Sequence, residues 1–316
     1  LAGIFQLLLQ LIPLRQINRL PIPKLNINNE GVNQFFKLIL PAILAGGIIQ
    51  INLLVDTIFA SLLETGSPTW LYVSDRLIQF PMGIFAIAVG TILLPTLSKF
   101  DLSYEKDKFI SSIQKGQRFV LFIGIPSLIG LFFCAEDLIS TIFYRGAFTE
   151  TDVIHSSYSL MAFSIGLPFF MLMKVLTPAF FARKDTKTPM YVAFASLILN
   201  ALLNYYLAFV LDYGHVGIAI GSSIAAIISV CVLEIVLHRN GFIEFKSIFN
   251  KFNLNILVSN LFLIIFLYFY TSQIDFMKLN QIERFFNLLF EVTASVIIYF
   301  SISRLILKKP LRLLFD

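Results

Sequence analysis

Trp70-Leu-Tyr-Val-Ser-Asp-Arg-Leu-Ile-Gln-Phe-Pro-Met-Gly-Ile-Phe-Ala-Ile-Ala-Val-Gly-Thr-Ile-Leu-Leu-Pro95 runs for 26 residues with a single pair of charges. A helix rises 1.5 Å per residue, so roughly 20 apolar residues cross about 30 Å of hydrocarbon. The stretch meets that length, yet it carries Asp75 and Arg76 side by side near its start. A charge at mid-membrane costs roughly 2.5–3.5 kcal/mol on insertion scales, and such residues turn toward a bundle interior or a watery cavity. Adjacent residues on a helix point about 100° apart, so the two cannot neutralise each other along one face. Arg76 is therefore expected to find a partner beyond its own helix. A phosphate group suits the planar, permanently charged guanidinium, and an acid on a neighbouring helix is the alternative.

Around this stretch the chain has the same character. Hydrophobic residues make up 57% and charged residues 14%, against about 25% charged in soluble domains. Segments long enough to span occupy approximately 37–63, 70–98, 119–135, 157–181, 189–211, 216–237, 254–272 and 285–307. The fold class is therefore all-α, a polytopic transmembrane helical bundle. Leu1–Ile12 already reads as mid-helix and lacks the basic start and small-residue cleavage site of a signal peptide. The expectation is the C-terminal part of a longer protein.

The net charge of +5 raises the question of nucleic acid, but its distribution answers it. Lys99, Lys106, Lys108, Lys115 and Arg118 crowd one connection and Arg304, Lys308, Lys309 and Arg312 crowd the C-terminus, whereas the alternate connections hold Arg145, Lys278 and Arg284. The positive-inside rule places the C-terminus and the 99–118 loop in the cytoplasm, so no nucleic-acid partner is implied. Cys134 and Cys231 lie far apart in or beside spans, and read as packing residues rather than a disulfide.

Connections are short, as in a compact bundle of antiparallel neighbours. In Asp101–Arg118 the recurrence of Tyr104, Phe109, Ile110 and Ile113 among charges predicts a short amphipathic helix lying on the membrane surface. Thr149 or Thr151 is placed to cap the span that follows. Prolines at 41, 81, 95, 126, 168 and 178 each remove a backbone donor and predict kinks. The last two spans follow a basic linker, His238–Lys251. The chain thus divides into 1–36, the end of a preceding helix and a cytoplasmic linker; 37–240, a six-helix lobe; and 241–316, a linker and two C-terminal helices.

Among polar residues inside the spans, Asn52 and Asp56 stand four apart on one helix face, and Asn200 and Asn204 repeat the spacing. Hard oxygen ligands from two helices, one of them charged, suit Na⁺ or a proton relay; hydrogen-bond glue between helices is the alternative. Lys174 lies near its helix end, where it either snorkels to the interface or faces a cavity. Glu234 and Glu291 read as interfacial or inter-helix partners. His155, His215 and His238 are far apart in sequence, and no glycine-rich phosphate loop occurs, so neither a histidine metal cluster nor a nucleophilic triad has support. Gly217 and Gly221 have the small-xxx-small spacing of closely packed helices.

Asp75–Ser98, together with Leu40-Pro-Ala-Ile-Leu, Gln50-Ile-Asn-Leu-Leu-Val-Asp56, Tyr144-Arg-Gly-Ala-Phe and Lys174-Val-Leu-Thr-Pro-Ala-Phe-Phe-Ala-Arg-Lys-Asp-Thr-Lys-Thr-Pro189, resembles the MurJ (MviN) lipid II flippase family. That family lies in the multidrug/oligosaccharidyl-lipid/polysaccharide exporter superfamily. The matches run in order over about two thirds of the chain; beyond Phe245 only the hydropathy matches. The family has fourteen transmembrane helices in two six-helix lobes plus a C-terminal pair. The resemblance implies that this chain holds the second lobe and the final pair and lacks the first lobe.

It further implies a flippase of the bacterial cytoplasmic membrane, not an enzyme, which moves undecaprenyl-diphosphate-linked disaccharide-pentapeptide by alternating access. Arg76 would hold the diphosphate, with Asp75 and Lys174 completing the candidate substrate-binding set. Asp56, Asn200 and Asn204 with the carbonyl of Val216 resemble a sodium site of the second lobe. Asn204 stands where an acid can occur and Ile220 where a hydroxyl residue can occur, which lowers the oxygen count. An exporter of drugs or other polyprenyl-linked sugars is the alternative within transport. A membrane-embedded enzyme using Glu136-Asp137 or Glu150 and Asp152 is the alternative outside it.

Overall fold

A computed structural model describes residues 2–17, 30–243 and 251–307. The basic connection 18–29, the linker 244–250 and the C-terminal Lys308, Lys309 and Arg312 lie outside the described residues. Every described element is helical, as expected where lipid offers backbone groups no partner and each must be satisfied within its own segment. The helices are α1 (Ala2–Gln16), α2 (Glu30–Ser61), α3 (Ser67–Pro81), α4 (Ile87–Leu97), α5 (Lys106–Phe133), α6 (Ala135–Phe143), α7 (Glu150–Ala182), α8 (Lys187–Tyr205), α9 (Gly214–Arg239), α10 (Lys251–Thr271) and α11 (Gln281–Leu307). Among the described residues, 7 helical segments are long and apolar enough to cross a membrane: Ser67–Leu97, Lys106–Phe133, Glu150–Ala182, Lys187–Val210, Gly214–Arg239, Phe252–Thr271 and Gln281–Leu307. The protein is thus a multi-pass membrane protein.

By contacts the chain forms two units, Leu1–Leu40 and Pro41–Asp316. The first holds α1 and the opening turns of α2. The second holds everything else, and α7 is at its centre, flanked by α3, α4, α5, α6 and α9. Leu160, Leu167, Met171, Val175, Leu176 and Phe180 of α7 are fully buried there. Apolar side chains such as Ile84 and Ile92 of α4's side, Leu257 of α10 and Phe290 of α11 stay exposed, as surfaces that meet lipid do.

The opening stretch is two helices joined by a π-turn over Met82–Ala86, in which the amide of Ile87 donates to the carbonyl of Met82. Pro81, at the end of α3, cannot donate into the ladder, and the wider turn absorbs the loss. A second π-turn, Tyr206–Val210, closes α8 without a proline. The capping residue of α7 is Thr149: its hydroxyl accepts from the amide of Asp152 at 3.3 Å, and the Asp152 carboxylate accepts from the amide of Thr149 at 2.8 Å.

The expected surface helix over 101–118 is not formed. From Lys106 the chain belongs to α5, which runs unbroken to Phe133. Phe109 and Ile113 are 1% and 0% exposed, and Phe109 meets the Phe242 ring edge-on at 5.6 Å. The apolar recurrence that reads as a membrane-lying face continues through Gly116 and Val120 as the buried face of the spanning helix. The residue spacing is the same for both placements, so only the partner distinguishes them.

The pair α10–α11 packs along α5 and α6. Asn255 of α10 donates to Ser303 of α11 at 3.0 Å, joining the two helices, Ser259 donates to Asn255 within α10 at 3.2 Å, and Tyr299 donates to the Phe122 carbonyl of α5 at 2.7 Å.

Candidate functional site

Side chains from two helices converge on Asp56 of α2. The i, i+4 repeat puts Asn52 and Asp56 on one face of α2 and Asn200 and Asn204 on one face of α8. Asn200 Nδ2 donates to Asp56 Oδ1 at 2.7 Å and to Asn52 Oδ1 at 3.0 Å; Asn204 Nδ2 donates to Asp56 Oδ1 at 2.6 Å. Ser222 of α9 donates to Asp56 Oδ2 and Asn200 Oδ1, each at 3.3 Å. Asn200 and Asn204 are 1% and 0% exposed. Asn204 Oδ1 is buried and has no donor.

Small residues of α9 make this convergence sterically allowed. A Cβ on Gly221 would lie 2.5 Å from Asn204 Oδ1, and one on Gly217 would lie 2.8 Å from the amide nitrogen of Ala208. The small-residue spacing read from the sequence thus seats α9 against α8 and its π-turn.

The set fits a small hard cation. Asp56, Asn52, Asn200, Asn204 and Ser222 all carry oxygen, and Asn204 Oδ1 is a buried, unused acceptor on a residue of the set. The asparagine amides present nitrogen to the carboxylate, and a half-turn of each would present oxygen instead. Val216 does not join the hydrogen-bonded set; it lines a second cavity, of about 540 Å³, with His155, Tyr158 and His215. Ser222 is the residue that sequence reasoning missed. The expected hydroxyl position, Ile220, lies two residues earlier on α9, and serines are too common on that helix to single one out.

A cavity of about 690 Å³ extends from Asp56 toward α3. Its polar lining includes Gln50, Asn52, Asp56, Asp75, Gln79 and Ser222, and Phe163 and Phe170 are among its apolar residues. Asp75 faces the cavity and accepts a hydrogen bond from the Gln79 amide. Arg76, a third of a turn away, is exposed: its guanidinium lies 4.6 Å over the Tyr72 ring and donates to Gln79 Oε1 at 3.4 Å. Gln79 therefore links the two charges that cannot meet directly, because it is i+4 from one and i+3 from the other. Among the described residues no acid ion-pairs with Arg76, so the neighbouring-helix acid weighed from sequence is not provided there. Lys174, half-buried on α7, also has no ion pair among them and is not on the cavity lining.

The remaining polar positions have local roles. Glu234 of α9 accepts from Gln117 of α5 at 2.9 Å, an inter-helix partner as expected. His155 and His215, 60 positions apart by number, come together: their rings are 5.2 Å apart, and Trp70 stacks on His155 at 4.2 Å while donating to Asp152 at 2.7 Å. No sequence spacing reports such a cluster. Among the described residues no group of three or more His, Cys, Asp or Glu could hold a metal.

Comparison with known proteins gives concordant results. The family model described as "Lipid II flippase MurJ" matches residues 1–298. A probable lipid II flippase MurJ of Vibrio cholerae is 42% identical over 241 residues, 76% of this chain and 46% of the relative. One from Haemophilus influenzae is 34% identical over 306 residues, 95% of this chain and 59% of the relative. The chain spans about half the length of these relatives. Among solved structures, a lipid II flippase MurJ in an inward closed conformation superposes with a TM-score of 0.68 at 28% identity, covering 92% of this chain and 57% of that one. An outward-facing multidrug transporter of the MATE family, at 14% identity and TM-score 0.60 over 76% of this chain and 55% of that one, shares the fold.

Proposed function

Since this chain belongs to the lipid II flippase MurJ family, we propose that it supplies one wall of a lipid II flippase, moving undecaprenyl-diphosphate-linked peptidoglycan precursor across the bacterial cytoplasmic membrane by alternating access, without chemical conversion. The observation that carries the reading is Arg76: a guanidinium on a spanning helix, in no ion pair among the described residues and beside a polar cavity. Intramembrane charge left without a counter-ion is costly, so its retention needs an anionic ligand. A diphosphate is such a ligand, and Arg binds it bidentately.

Asp75 and Gln79 orient Arg76 rather than touch the anion, since both acidic and amide groups are turned to each other. Lys174 would add a second positive charge on the route, from the α7 side. The first-lobe half that this chain does not match in its relatives would supply the opposing wall. We place the C-terminus and the 99–118 connection in the cytoplasm, on the charge asymmetry of the connections.

A sodium ion would be held by Asp56, Asn200, Asn204 and Ser222; the carbonyl of Val216, the further ligand implied by family resemblance, belongs to a residue that lines the neighbouring cavity. When bound it would supply a fixed positive charge that ties α2 to α8 and α9. Asp56 balances that charge, and the two asparagines orient its carboxylate.

The test is accumulation of lipid II in the outer leaflet of cells whose sole flippase is this protein paired with a first lobe from a family member. Loss of exposure on Arg76→Ala with normal membrane insertion is the expected result. Unchanged cell-wall synthesis in that variant overturns the phosphate role.

A further inference from the structure

The short helix α6 meets α11 through two acids. Glu291 of α11 is 0% exposed, and both its carboxyl oxygens lack any hydrogen-bond donor; Asp137 of α6 is 6% exposed, and its Oδ2 lacks one too. The two carboxyl groups lie against each other, with the buried Cys134 thiol beside them. Three acceptor oxygens without donors, in one buried place, is an arrangement that two ionised carboxylates do not tolerate.

The surrounding charges do not relieve it. Arg284, seven residues before Glu291 and so about 10 Å along α11, spends its guanidinium on the carbonyls of Phe276 at 2.8 Å, Met277 at 3.0 Å and Ser140 at 3.5 Å, over the Tyr144 ring. Lys278 is paired with Asp275 at 2.7 Å. From α10 the facing group is Tyr270, which donates to Asn287. From α6 itself comes Glu136, which adds negative charge, and Glu150 of α7 adds its own to Glu136. Among the described residues no cation ion-pairs with either acid.

We propose that Asp137 and Glu291 form a proton-binding site, sharing one proton between their carboxyl groups, and that this O–H···O bond latches the α10–α11 pair to the lobe. The bond is the charge-assisted kind, roughly twice as strong as a neutral one. It is independent of what the cavity carries. Burial, and then the neighbouring Glu291, raise the Asp137 carboxyl above its ordinary range. The pair titrates as a unit. The folded state holds its proton at a pH where the unfolded chain has released it, so the latch is strongest in acid. Its contribution is lost as pH climbs from the ordinary carboxylate range to the raised one. One proton makes the folded-to-unfolded ratio fall up to about tenfold per pH unit over that window.

The experiment is thermal unfolding of the purified protein in detergent between about pH 5 and pH 9, a range that brackets the window, together with infrared detection of the carbonyl stretch of protonated acids. In wild type the melting temperature should fall as pH rises, and a protonated-acid band should persist at neutral pH. Glu291→Gln and Asp137→Asn each replace an acid by an amide of the same shape that needs no proton. Both should flatten the pH dependence and remove that band.

A band and a slope identical to wild type in both variants overturn the proposal. So does stabilisation of the wild type at alkaline pH by Ca²⁺ or Mg²⁺ that Glu291→Gln abolishes, which would make the pair a cation site. Should both variants fail to fold, wild type carrying isotope-labelled aspartate or glutamate decides. A protonated band that shifts with either label and bleaches with rising pH supports the latch, and its absence overturns it.

Discussion

Arg76 and Asp75 are chain neighbours in different surroundings. Asp75 looks into the cavity with Asp56, and Arg76 lies on an exposed face against Tyr72. Arg76→Ala removes the only feature of α3 that can grip an anion bidentately, and leaves the buried face of that helix, Val73, Ser74 and Ile78, untouched. Flipping should fall below detection while the protein inserts and folds. Arg76→Lys should restore little, because a point charge does not reproduce a planar fork; the measurement is outer-leaflet lipid II in cells carrying each variant. Asp56 tests a different contact. Asp56→Asn deletes the formal negative charge of the oxygen set, so sodium-dependent thermal stabilisation, expected in wild type paired with its first lobe, should vanish, and Asn204→Ala should weaken it less. A wild type indifferent to sodium would reduce the set to hydrogen-bond glue between helices. At this scale the spacing of Asn52, Asp56, Asn200 and Asn204 was readable, because i, i+4 fixes a helix face whatever surrounds it. Ser222 and Gln79 were not, since a hydroxyl or amide acquires its role only from what another helix or side chain brings within reach.

Elements were legible where length and apolarity alone decide them, and less so where packing does. The spans of α7 and α9 follow from hydrophobic runs, and the small-residue pattern on α9 correctly announced a close crossing. The continuation of α5 back to Lys106 did not follow, because Phe109 and Ile113 fit a membrane surface and a protein core equally well until Phe242 is known to cover them. The π-turn at Tyr206–Val210 had no proline to announce it. The close crossing yields a prediction. Gly221→Ala would put a methyl group where Asn204 Oδ1 now sits, 2.5 Å away. Either α9 shifts from α8 or Asn204 swings off Asp56. Overpacking of this kind costs about 1–3 kcal/mol, so the melting temperature should drop and sodium stabilisation should be lost with it. Ser223→Ala on the same helix removes a hydrogen bond to the Ala162 carbonyl, at 2.8 Å, without touching the oxygen set. It should lower stability by about 1 kcal/mol and leave the sodium response intact. Equal sodium responses in the two variants would disconnect the crossing from the site.

For the molecule as a whole, the decisive feature is that its polar cavity and its exposed arginine lie on helices that also expose large apolar side chains such as Leu53, Leu54, Tyr72 and Phe80. A diphosphate site closed on one side by lipid cannot be completed, because hydrocarbon offers no counter-charge and no hydrogen bonds. The relatives are about twice as long as the part this chain matches, which is what a second wall would require. Residues 1–316 expressed alone should therefore insert but not flip, and should self-associate through the α3 face that carries Arg76. Co-expression with the first lobe of a family member should restore both monodisperse behaviour and lipid II exposure, while Arg76→Ala in the same pair restores only the first. Cross-linking from a cysteine placed at Tyr72 reports which surface is covered: copy-to-copy links should dominate when the chain is alone and give way to lobe-to-lobe links on co-expression. Full activity from the chain alone would mean that two copies build the cavity between them, with Arg76 from each facing the same phosphate pair, and the requirement for a different second wall would fall.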